Sequence, residues 1–342
     1  MITRWRAFAG WGGSIQSVGV GFEGEADLRA QAARRSGVAL DRQRDGDLAA
    51  AVVEFEASAD LCARSGWAHG EASALVALGG LYHDLGELRR AAHSSLSALA
   101  ADEAVAAGAL TTLGAVEHLL GEGGAGERFR DAMEVGPVDA RMLGGLTIVH
   151  RDRGELTEAL AVGEEALVKA REAADPATVG DVVSLLGSVH HWLGGPERAV
   201  AEHRRGLALL GDGYARHRAS VALAAALRDT GDLSGAETVA GAALADAQRA
   251  GHRVLAGNAY LVLGGVHLRT QDIDRAVECG QRALITHRAT GHRLGEGRAL
   301  RLLGDIARAN GLGTIAREQW HASLSILSEV GSGEAATVLR RG

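Results

Sequence analysis

A chain of 342 residues that is 46% apolar but only 4% aromatic, with three prolines, must build its interior from Ala, Leu, Val and Gly. That favours closely approaching helices and offers no alternating β-branched run for a sheet. A net charge of −7 leaves little basic surface to neutralise phosphates, so no direct nucleic-acid partner is expected; no apolar stretch reaches the roughly 18 residues that span a bilayer, so no membrane association is expected and the cytoplasm is the expected location.

Residues 1–27 differ in character from the rest of the chain. They hold Trp5, Phe8, Trp11 and Phe22, four of the chain's twelve aromatics. They read either as a flexible leader or over-extended start, or as a segment that packs on the start of the next region or folds into its groove as a pseudo-ligand. No continuous apolar run marks a secretory signal. Gly19-x-Gly21-x-x-Gly24 has the spacing of a dinucleotide fingerprint. No second strand follows it and helical periodicity takes over near residue 28, so no cofactor is expected.

From 28 to 330 one pattern recurs eight times, and a period near 40 decides the architecture before any motif does. The copies are indexed by a turn residue: Gly46, Gly86, Gly121, Gly154, Gly194, Gly231, Gln271 and Gly311. Five residues after the turn stand Ala51, Ala91, Gly126, Ala159, Ala199, Ala236, Ala276 and Ala316. Seven before it stand Ala39, Gly79, Gly114, Thr147, Gly187, Ala224, Gly264 and Gly304. Small residues at both places predict helix pairs in close approach. Eight before the turn come Val38, Leu78, Leu113, Leu146, Leu186, Leu223, Leu263 and Leu303, read as the knobs that fill the interface within each pair.

Turn chemistry agrees with helix–turn–helix. Asp47, Glu87, Glu122, Glu155, Asp232 and Asp272 follow the turn directly, where a carboxylate caps or faces the positive end of the next helix. Pro196 does this for the fifth copy, at a helix start where its missing N–H costs nothing. The third copy, with GEGGAGERF at 121–129, is the most degenerate and the expected weak point. Residues 331–342 read as a capping helix, near 333–341, and a tail. Cys62 and Cys279, more than five copies apart, are expected to be free thiols.

The Leu-Gly, turn-Gly and Ala positions resemble the tetratricopeptide repeat (TPR) family over roughly residues 30–330. The family's aromatic positions survive only as Phe55, Tyr82, Tyr260 and Trp320. A period near 40, the recurrent Gly-His-Arg between copies and the ending LSEVGSGEAATVLRR are similar to the TPR arrays attached to actinobacterial signalling ATPases and antibiotic-pathway regulators. The resemblance implies an all-α, right-handed superhelix (α-solenoid) whose first helices line a concave groove.

Positions 13, 10, 6 and 3 before each turn share one helical face, and the resemblance turns that face toward the groove. Arg and His are frequent there: His83, His118, Arg151, His191, Arg228 and Arg308 at the innermost position, Arg141, Arg218 and Arg298 at the outermost, with Trp192 beside His191. His83, His118, Arg151, His191, Trp192, Arg228 and Arg308 are the candidate binding residues, read either as ordinary solvated side chains or as an electropositive groove for a protein or peptide, acidic in character, or an anionic small molecule. No Asn stands six before any turn and Lys169 is the only lysine, so the chaperone-tail carboxylate clamp is not reproduced. No HExxH or cysteine-rich spacing points to a metal, and no catalytic set is legible. His190, four before its turn, is expected in the repeat interior. The reading is a non-catalytic scaffold or sensor that binds protein or peptide. Its alternatives are a ligand-responsive regulatory protein and, second, an enzyme that uses the groove as its cavity.

Overall fold

The structure, a computed structural model, describes residues 16–340. Among them are seventeen α-helices and no strand. Sixteen helices form eight antiparallel pairs: α1 (Gln16–Arg44) with α2 (Leu48–Arg64), α3 (Ala68–Leu85) with α4 (Leu88–Ala101), α5 (Ala106–Leu120) with α6 (Ala125–Val135), α7 (Ala140–Arg153) with α8 (Leu156–Glu172), α9 (Pro176–Trp192) with α10 (Pro196–Leu209), α11 (Tyr214–Thr230) with α12 (Leu233–Arg249), α13 (Arg253–Arg269) with α14 (Ile273–Thr290), and α15 (Arg293–Ala309) with α16 (Gly313–Glu329). A 3-10 turn (Glu103–Val105) precedes α5, and the short α17 (Ala335–Leu339) follows α16. Residues 1–15 lie outside the described residues. Helix α1 begins inside the segment read as a leader, so Gly19–Gly24 is helical and continuous with the first pair.

Each pair turns where the sequence pattern places its turn residue. All eight have positive φ, from 62° at Gln271 to 95° at Gly231. Such a residue closes a helix by letting the next two N–H groups turn back onto its last carbonyls. Gly86 donates to His83 O at 3.0 Å and Glu87 to Tyr82 O at 2.8 Å. The longer bond recurs as Glu155 to His150 O and Asp272 to His267 O, both 2.9 Å. Asp47, Asp232 and Asp272 then accept from the N–H three residues on, at 2.9 to 3.2 Å. Glu87 and Glu155 sit at the N-cap without a side-chain cap bond. The third copy is intact, with α6 reduced to 11 residues.

Packing follows the small residues. The seven alanines five after the turns are at most 1% exposed, and the −7 residues are buried throughout. The −8 residues reach further than the expectation. Leu78 packs with Val52 and Phe55 of α2, Leu223 with Ala199 and Val200 of α10, and Leu263 with Ala240 and Ala243 of α12. These knobs also bridge to the second helix of the preceding pair, each contributing about 1.5–3 kcal/mol of burial, while Leu78 and Leu223 share their clusters with Ala91 and Ala236 of their own pairs. Val38 agrees with this geometry: with no pair before it among the described residues, it stays 43% exposed. Cys62 is buried, Cys279 half-buried, and both are free.

Successive pairs coil until the array meets itself. The second pair touches the seventh, the third touches the eighth, and the fourth touches the segment before α17. Arg253, at the start of α13, donates to Leu85 O at 3.1 Å and Gly86 O at 3.3 Å, the open carbonyl end of α3. A cation there meets the negative end of the helix dipole. Arg293, its counterpart one pair later, lies against Gly121 at the end of α5. The recurrent Gly-His-Arg thus has a structural job: Gly251 and Gly291 (φ 74° and 78°) end α12 and α14, the histidine is buried, and the arginine rests on the previous turn of the coil.

Candidate functional site

The seven candidate residues fall into separate groups. His118 and Arg151 come together on one carboxylate, Asp152: His118 Nε2 lies 3.0 Å from Oδ2, and the Arg151 guanidinium reaches Oδ1 at 2.8 Å. His191 and Arg228 come together on Asp229 in the same way, at 2.9 and 2.8 Å. In each case the histidine belongs to one pair, and the Asp and Arg belong to the next pair whose turn they precede. His83 is held by its neighbour Asp84 at 3.0 Å and stacks 5.3 Å from Tyr214. Trp192 is half-buried, with the Arg298 guanidinium 6.0 Å from its ring. Arg308 is exposed and lies away from both clusters, its guanidinium 5.7 Å from the Trp320 ring.

The positive face expected from the sequence is therefore largely neutralised. Its carboxylates, Asp84, Asp152 and Asp229, stand two residues before the turn. The signal was present in the sequence as Asp directly after the groove-facing residue, in HDLG, HRDRG and LRDTG. Burial pushes the Asp152 carboxyl up, but Arg151, Arg298 and His118 outweigh it and hold it well below the usual carboxylate range. At Asp229 burial is again outweighed, by the His191 and Arg228 bonds, with a net lowering.

Around Asp152 a larger network crosses the coil. Arg298 Nη2 reaches Asp152 Oδ1 at 3.1 Å and its Nε donates to Glu334 Oε1 at 2.6 Å; Arg301 takes the other oxygen of Glu334. Gly333 N–H donates to Asp152 O at 3.0 Å. Burial would raise the Glu334 carboxyl, but Arg298 and Arg301 lower it on balance; in return Glu334 and Asp152 keep Arg298 protonated against its own burial. A cavity of about 30 Å³ lined by His118, Asp152, Leu294, Val330 and Ser332 lies in this seam. It has room for a water rather than a ligand.

Histidines fill much of the remaining polar interior. His217 and His252 face each other Nδ1 to Nδ1 at 2.9 Å, and His287 and His292 at 3.1 Å. His203 bonds Ser184 Oγ at 2.8 Å, and His190, buried as expected, meets Glu202 at 2.7 Å. Among the described residues no group of three His, Cys, Asp or Glu is arranged to hold a metal, and no helix is long and apolar enough to cross a membrane.

Comparison with known proteins places the architecture. The Cut9–Hcn1 hetero-tetramer of the APC/C superposes on 95% of this chain and 57% of its own, with TM-score 0.60 at 15% identity. A Rap protein complexed with competence and sporulation factor superposes on 79% of this chain and 80% of its own, with TM-score 0.58 at 13% identity. A tetratricopeptide repeat protein from Parabacteroides merdae aligns over 91% and 99% at 13% identity, but its TM-score of 0.42 carries no weight. No protein-family model matches the chain, and no curated protein matches it in sequence. Identities this low show the fold alone: the chain is an α-solenoid of TPR-like helix pairs.

Proposed function

We propose that the protein is a non-catalytic scaffold or sensor that binds a protein or peptide on its inner face. The observation that carries this is the pair of His–Asp–Arg clusters, His118–Asp152–Arg151 and His191–Asp229–Arg228, with half-buried Trp192 between them. They set rigid, alternating charge and one aromatic anchor along a face that the repeat geometry presents as a row. The solenoids that resemble it include a Rap protein bound to a factor and a subunit assembled with another protein, which supports the same use here. Because the cations are paired, recognition by this row rests on mixed polar contacts and Trp192 more than on a net positive field. Binding that alters the coil has its own support, since discrete ion pairs, Arg298 with Asp152 and with Glu334, join one turn of the coil to the next. That favours a ligand-responsive regulatory protein as the second reading.

A photo-crosslinking residue at Trp192, compared with one at the outward-facing Ile285 (68% exposed), tests the proposal. Partner adducts at 192 and none at 285 are expected. Adducts confined to 285 would overturn it.

A further inference from the structure

Arg298 and Arg301 lie three residues apart on α15, one above the other on the same face. Each guanidinium takes a different oxygen of the Glu334 carboxylate. We infer that this pair is a docking site for an acidic side chain of a partner peptide, occupied in this structure by the chain's own Glu334. The inference rests on the inner-face binding reading and names the chemistry of its ligand.

Two features separate the clamp from an ordinary structural ion pair. The first is charge. Arg151, Arg298 and Arg301 face Asp152 and Glu334, so three cations meet two anions; without Glu334 two positive charges stay uncompensated, and a largely buried site in that state demands an anion. The second is where the occupant comes from, a short helix at the end of the array. The clamp itself stays in place without Glu334, because Arg298 keeps its bond to Asp152 across the coil and both arginines stand on the 17-residue helix α15. Glu334 arrives on a segment that leaves α16 through Gly331 (φ 66°), with Gly333 next to it. Helix α17 is five residues long and buries one side chain, Val338 (2% exposed), while Leu339 is 64% exposed. The segment is tied by the Glu334 carboxylate, by Val338 and Ala335 on the last core cluster, by Ser332 N–H to Leu327 O and by Gly333 N–H to Asp152 O. The matching ligand is a peptide with an acidic residue one helical turn before an apolar one, as Glu334 stands to Val338.

The test uses the full chain carrying Glu334→Gln and a fluorescent synthetic peptide of residues 328–340. The peptide is expected to bind this variant at least tenfold more tightly than the unaltered chain, in which the site is filled. The same peptide with Gln at 334 binds neither, and adding Arg301→Met to the variant abolishes binding. A folded Glu334→Gln chain that binds the peptide no better than the unaltered chain overturns the inference. Should that variant fail to fold, hydrogen exchange on the unaltered chain decides: amides 333–338 are expected to exchange at least a hundredfold faster than those in the middle of α15, and equal protection overturns the inference. Crosslinking at 192 and 285 reads the inner face independently of this clamp, so a failure of the clamp and a failure of the inner-face reading are distinguishable.

Discussion

Acid should unfold this solenoid early, and through its histidines. Burial pushes His203 and His287 down to about 3, helped by His191, Arg218 and Arg151 near His203 and by Arg298 near His287. His252 and His292 are lowered too, chiefly by burial and by the partner histidine of each pair. The facing groups work both ways: Asp84 and Asp212 pull His252 up and His83 pushes it down, while Asp152 pulls His292 up and Arg298 and His118 push it down. A histidine whose folded value is depressed binds its proton more readily unfolded. Its contribution is complete above the unfolded value near 6.5 and is lost as pH falls toward the folded one. From pH 7 to 5, each of His203 and His287 should cost about 2 kcal/mol, roughly 4 together, a large part of the 5–15 kcal/mol typical of a domain. The window matters, because Asp152, Asp229 and Glu334, all lowered, lose their contributions mainly at more acid pH. Urea unfolding followed by circular dichroism at pH 7, 6 and 5 measures the slope. His203→Asn should be less stable at pH 7 yet recover about 2 kcal/mol of the acid loss. A loss under about 1 kcal/mol between pH 7 and 5, or an unchanged slope in the variant, would refute the reasoning.

Gln271 holds the left-handed turn that seven glycines hold elsewhere (φ 62°); Gln271→Gly should stabilise by about 0.5–1 kcal/mol, read as a higher urea midpoint, since an L side chain there costs about 1–2 kcal/mol and glycine returns part of that as chain entropy. At Gly145 a Cβ would stand 2.2 Å from the Phe129 ring, so Gly145→Ala should cost about 1–3 kcal/mol, and a Phe129→Leu background should shrink that penalty; equal penalties in both backgrounds would contradict the clash. Arg298→Met leaves Asp152 and Glu334 short of a partner in the interior and should destabilise by about 3–5 kcal/mol in denaturant titration. Arg253→Ala removes the tie from the seventh pair to the end of α3 and should cost about 1 kcal/mol, with faster exchange of the Gly86 and Glu87 amides.

The fold was legible because its rules are local. A left-handed turn needs glycine, two helices crossing closely need Ala or Gly, and both needs recur at a fixed offset. The eight turns and the buried −7 and +5 positions could thus be read directly, and Gln271 was placed by its spacing despite its identity. The −8 leucines show where local reading fails. Their periodicity says only that they lie on an apolar face; that the face meets the preceding pair as well as its own depends on how the pairs stack.

The site was less legible for a related reason. The sequence marks which residues look inward, and His118, Arg151, His191 and Arg228 do gather in clusters. What they meet depends on the coil's pitch, the sum of small rotations from pair to pair. That sum brings the eighth pair against the third, and it puts Arg298 beside Asp152, 146 residues away. No spacing in the sequence encodes such a distance. Glu334, in a tail that reads as a mere cap, becomes the counter-ion of two arginines only because the coil closes there. The Gly-His-Arg repeats were the visible trace of that closure: at the same offset in two pairs the histidine is buried against a neighbouring histidine and the arginine rests on an earlier turn.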